Sequence, residues 1–227
     1  MTQGQPAAGS MESLYPFLYS GTTDLDAVLE QVRQSTVAKA AEITELRRVI
    51  GARDGARLAA CAADAAARFA AGGRLLAFGN GGSATDAQQL AALFLNPGGT
   101  ARPLPALGLA SDISVVTALC NDIGVDVVFA RQIAALGRRD DIAVGLSTSG
   151  NSDNLLRAFD EASRRGLLTV GLAGYEGGKM AELDSIDYLF VAPSSSVHRI
   201  QEAQTTVYHV LWELIQQALA EPGEVRR

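Results

Sequence analysis

Residues 142–165 read IAVGLSTSGNSDNLLRAFDEASRR, and this stretch decides the fold. Ile142 to Leu146 is an unbroken apolar run of strand length, as a strand buried on both faces requires. The next six residues, Ser147-Thr148-Ser149-Gly150-Asn151-Ser152, carry four hydroxyls and a glycine. Leu155, Leu156, Ala158, Phe159 and Ala162 then recur at helical spacing to about Arg165. A strand that ends in a polar glycine turn and opens a helix is half of a parallel βαβ unit.

The same pattern repeats in both directions. Upstream, Arg74–Phe78 is a short apolar strand followed by Gly79-Asn80-Gly81-Gly82-Ser83 and a helix to about Leu95. Ala106–Leu109, Leu168–Leu172 and Tyr188–Ala192 supply three more strands, with helices predicted over 112–120, 126–136 and 196–219. Two helices, 24–50 and 53–71, precede any strand. The fold expected is α/β, a five-stranded parallel sheet sandwiched by helices in three Rossmann-like layers, with long N- and C-terminal helices. Residues 1–20 read as disordered, and 21–222 as a single domain.

Bulk properties exclude several function classes. The net charge is −6 and the sequence pI about 5.0, which gives no general attraction to nucleic acid or anionic lipid. No apolar stretch is long enough to span a bilayer, and no signal peptide is recognisable, so the expected setting is the cytoplasm. Cys61 and Cys120 lack metal or disulfide spacing.

Ligands of an open parallel sheet bind beyond the carboxyl ends of its strands. Both glycine-serine loops fall there, each leading into a helix whose free N–H groups and dipole favour an anion. Ser147, Thr148, Ser149 and Ser152 add hydroxyls that hold a phosphate without Lys or Arg, and Gly150 allows close backbone approach. Capping of the helix by Ser149 or Asn151 is the plainer alternative. The first loop has neither G-x-G-x-x-G nor Gly-Lys-Ser/Thr, which argues against nicotinamide and nucleoside triphosphate ligands.

The segments FGNGGSATDAQ, SDIS, CNDIG, LSTSGNSDNLLRAF, GYEGGKMAEL and RIQEAQTTVYHVLWELI occur in the order seen in the phosphoheptose isomerase branch of the SIS (sugar isomerase) family, which this chain resembles from about residue 27 to 219. The resemblance implies the SIS fold and a homotetramer with sites near subunit interfaces. It implies a substrate phosphate on Ser147, Thr148, Ser149 and Ser152. Asn80, Gly81, Ser83, Asp112 and Gln201 would line the sugar site, with a heptose or other ketose phosphate as partner.

The chain departs from that family where proton transfer is done. The resemblance implies a zinc-binding catalytic set of His, Glu, Gln and His. Gln201 and His209 retain its second half on one face of the last helix, but Gln89 and Leu93 stand where the first His and Glu belong. Leucine neither abstracts a proton nor binds a metal, and one imidazole is too few for a tight zinc site. We therefore expect no metal and no other cofactor, and a sugar-phosphate-binding protein that is catalytically impaired or divergent. Two alternatives stand beside this. One is an active aldose–ketose isomerase of sedoheptulose 7-phosphate or another ketose phosphate, using His209, His198 or Glu202. The other is a tetrameric assembly protein like the replication-initiator-associating member of the family.

Overall fold

The computed structural model describes residues 25–220; the segment expected to be disordered, 1–20, lies outside them. Contacts divide the chain at Glu42 into two units. Of the first, residues 25–42 are described and are helical, with Leu25, Leu29, Val32 and Val37 each more than half exposed.

One helix, α1 (Leu25–Ala70), replaces the two predicted helices. Gly51 and Gly55 suggest a break, since glycine costs about 1 kcal/mol in a helix interior. Burial on either side overrides them: Ile50, Leu58, Cys61, Ala62 and Ala65 all face the core. Asp54, buried between them, is held by Arg53 at 2.5 Å and Arg57 at 3.5 Å.

The strands are β1 (Leu75–Gly79), β2 (Ala106–Gly108), β3 (Ile142–Leu146), β4 (Leu168–Gly174) and β5 (Tyr188–Ala192). They form one parallel sheet in the order β2-β1-β3-β4-β5. Between them lie α2 (Gly82–Leu95), α3 (Ile113–Asp122), α4 (Val128–Leu136) and α5 (Asp153–Arg164), and α6 (Val197–Ala220) closes the described chain.

Strand alternation assigns the two faces. Leu75, Ala77, Ile142, Val144 and Leu146 join the core made with α1, α2 and α6. Leu76, Phe78 and Ala143 join the second core, with Phe129, Leu155 and Phe159 of α4 and α5. Both faces carry a packed core, which is why the strands read as unbroken apolar runs. β1 and β3 are neighbours in register, Gly79 opposite Leu146, so their loops begin side by side. Strand order reverses at this point, where open α/β sheets bind ligands.

Candidate functional site

The serine loop is built around its own backbone. The Ser147 hydroxyl accepts from the Gly150 amide at 3.0 Å, and its carbonyl accepts from Gln204 Nε2 of α6 at 3.1 Å. Gly150 has φ +69°, and a Cβ there would run into the Gly177 carbonyl oxygen, so only glycine fits. The Ser149 hydroxyl accepts from the Asn151 amide at 3.2 Å, and Asn151 Oδ1 accepts from the Lys179 amide at 2.9 Å. Asn151 thus ties the loop to the turn after β4 rather than capping α5. Ser152 takes the cap position but makes no capping hydrogen bond, leaving its hydroxyl uncommitted at the helix N-terminus.

The Ser147 and Ser149 hydroxyls serve the loop as acceptors, so each keeps its hydrogen for a ligand. With the α5 dipole, this cradle favours a phosphate dianion. A cavity of about 730 Å³ opens against Ser149 and Asn151, walled by Tyr175, Glu176, Ser194 and Ser195. Lys179 is exposed and paired with Asp153 at 3.3 Å.

The first loop is locked to the second. Asn80 and the Asn154 side chain of α5 exchange two amide hydrogen bonds, each 2.9 Å. Gly81 opens α2 at φ +54° and Ser83 is buried. Gln201 of α6 lies so close that a Cβ on Gly82 would strike its Nε2. Asp112 caps α3, one carboxylate oxygen accepting from the Ser114 and Val115 amides at 3.0 and 3.1 Å.

The side chains expected at the proton-transfer end each have contacts of their own. Leu93 packs against the core. Gln89 Oε1 is directed at the Tyr208 hydroxyl, 3.4 Å away. His209 is exposed, stacked on Tyr208 at 4.8 Å, with Nδ1 2.8 Å from the Thr205 carbonyl. His198 is exposed in the first turn of α6, and Glu202 is paired with Arg199. Among the described residues no three His, Cys, Asp or Glu side chains are grouped to hold a metal. The donor set at Gln89, Leu93, Gln201 and His209 therefore does not fit zinc: it offers one imidazole, two amides and a hydrocarbon.

Asp86 escaped the sequence reading. Its Oδ2 accepts from Gln201 Nε2 at 3.4 Å. Burial pushes its carboxyl above the ordinary range, an effect the Gln201 hydrogen bond partly offsets. The only sequence signal is its spacing, three residues before Gln89 and seven before Leu93 on one helical face.

The SIS domain family model matches residues 40–174. A phosphoheptose isomerase of Nitratidesulfovibrio vulgaris is 42% identical over 193 residues, covering 85% of this chain and 92% of the relative. One of Desulfovibrio desulfuricans is 48% identical over 176 residues, covering 72% and 83%. Among solved structures, phosphoheptose isomerase from Neisseria gonorrhoeae superposes with a TM-score of 0.74 at 34% identity, covering 82% of this chain and 99% of that one.

Proposed function

Since the chain belongs to the SIS domain family, we propose that it binds a sugar phosphate, of the heptose or ketose phosphate class, through the loop Ser147–Ser152. The domain that does so spans residues 21–222. The observation that carries the proposal is the preformed cradle: hydroxyls on a glycine-braced turn at the N-terminus of α5, with Gln204 fixing the loop from behind. The phosphoheptose isomerase relatives support the choice of ligand class.

The family's zinc-assisted isomerisation is not part of the proposed activity. A Leu at position 93 supplies neither base nor ligand, and losing a positioned general base alone removes about 10²–10⁴ in rate. The pocket retains the binding half of the site and departs in the catalytic half.

Calorimetric titration with sedoheptulose 7-phosphate tests the binding. Ser147→Ala and Ser149→Ala each weaken it by about 1–3 kcal/mol, the worth of a hydrogen bond to a charged group. Unchanged affinity in both variants would remove the phosphate from this loop.

A further inference from the structure

Residues 47–57 read RRVIGARDGAR, four arginines and one aspartate in a chain of net charge −6. Arg53 and Arg57 stand four apart, on one face of α1. The buried Asp54 carboxylate holds both guanidinium groups, Arg53 at 2.5 Å and Arg57 at 3.5 Å. Arg53 Nη2 also donates to the Val191 carbonyl at 2.5 Å, and the Arg57 guanidinium lies over the Phe190 ring, 5.5 Å from its centroid. One carboxylate balances one of two cations, so a positive charge is left over. Among the described residues Arg57 donates no hydrogen bond, and Nη1 of Arg53 donates none. Both side chains line a cavity of about 490 Å³, with Tyr175, Glu176 and Val191 in its walls. Tyr175 has φ +51°, the one positive φ outside glycine among the described residues, and strain of this kind persists where the surroundings impose it, often at ligand sites.

We propose that Arg53 and Arg57 form a second anion site, which takes a phosphate group separate from the one on the serine loop. The sheet register sets the two sites apart. Leu146 pairs with Leu172, so Ser147 comes level with Ala173, and Ala173 pairs with Val191. Two strand spacings then separate Val191 from Ser147 by roughly 10 Å. The arginines stand on the β5 side of the serine loop, whereas Asn80 and Gly81 follow β1 on its other side. A sugar running from the serine loop toward β1 leaves the arginine site free, so the second anion is a ligand of its own. The two cavities meet at Tyr175, Glu176 and Pro193, which line both. Planar guanidinium groups with uncommitted N–H donors suit the oxygens of a phosphate better than they suit a halide. Asp54 keeps the pair in place without a ligand, so little side-chain ordering is left for binding. Glu176 weakens the site, because its carboxylate shares the wall.

Calorimetric titration of the full chain with inorganic phosphate, in sodium chloride at constant ionic strength, tests the site. Arg57→Gln leaves Asp54 paired with Arg53 and binds one phosphate fewer per chain than the parent, or binds that phosphate about 10–100-fold more weakly. The difference between parent and variant reads the arginine site whether or not the serine loop takes a phosphate of its own. Arg57→Lys keeps the charge and retains the site at reduced affinity. Glu176→Gln, with one carboxylate fewer facing the cavity, binds more tightly, a gain that damage to the fold does not produce. Excess sedoheptulose 7-phosphate leaves the phosphate on the arginine pair in place. The same number of phosphates at the same affinity in the parent and Arg57→Gln overturns the proposal. So does displacement of this phosphate by chloride, which marks mere screening, or by sedoheptulose 7-phosphate, which makes the two sites one.

Discussion

Gly150 and Gly81 form a matched pair that isolates the steric demand of the phosphate loop. Both have positive φ, +69° and +54°, so alanine at either costs about 1–3 kcal/mol of backbone strain. Their surroundings differ. A Cβ on Gly81 meets nothing within 4 Å, whereas one on Gly150 runs into the Gly177 carbonyl. That obstacle is backbone and has no rotamer by which to yield. Overpacking of this kind adds about 1–3 kcal/mol, giving totals of about 2–6 kcal/mol for Gly150→Ala and about 1–3 for Gly81→Ala. At about 2–4 °C per kcal/mol for a domain of this size, Tm falls by roughly 4–24 °C in the first and roughly 2–12 °C in the second. The assay is thermal unfolding of both variants by circular dichroism, without ligand and in one buffer. Gly150→Ala also loses affinity for sedoheptulose 7-phosphate, because relieving the clash moves the Ser147–Ser152 backbone. Equal Tm losses in the two variants would refute the claim that the loop is held against the turn at Gly177.

The double change Gln89→His and Leu93→Glu restores two ligands four residues apart on one helical face. The unmodified chain gives little or no zinc-dependent isomerisation of sedoheptulose 7-phosphate, and the double variant gains zinc-stimulated turnover; zinc stimulation of the parent would contradict the reading of Leu93. A homotetramer is the expectation drawn from the resemblance to the family, and the exposed apolar residues Leu25, Leu29, Val32 and Val37 are in keeping with it. Analytical ultracentrifugation at micromolar concentration gives a tetramer, and a monomer would contradict it.

Much of the fold was legible because a doubly covered parallel sheet writes its strands as unbroken apolar runs. Ile142–Leu146 and Tyr188–Ala192 have the bounds predicted for them. Helix α1 was cut in two at Gly51 because local propensity was the only guide there. What overrides it is tertiary: Ile50, Asp54 and Leu58 are buried against elements distant in sequence. The serine loop was recognisable from composition and position, but its bracing by Gln204 was not, since those residues stand 57 positions apart. Asp86 looked like an ordinary acidic residue near a helix start, where the dipole favours one. Its contact with Gln201, 115 residues away, appears only in the folded chain. Asp112 was expected at the sugar; one of its oxygens is engaged as the cap of α3, an outcome its place before a helix also signals.

The most direct measurement is a crystal structure of the full chain with sedoheptulose 7-phosphate. The account predicts the phosphate within hydrogen-bonding distance of the hydroxyls of Ser147, Thr148, Ser149 and Ser152 and of the first-turn amides of α5, with the carbon chain directed toward Asn80, Gly81 and Gln201. A phosphate bound elsewhere, with the serine loop empty, would contradict it.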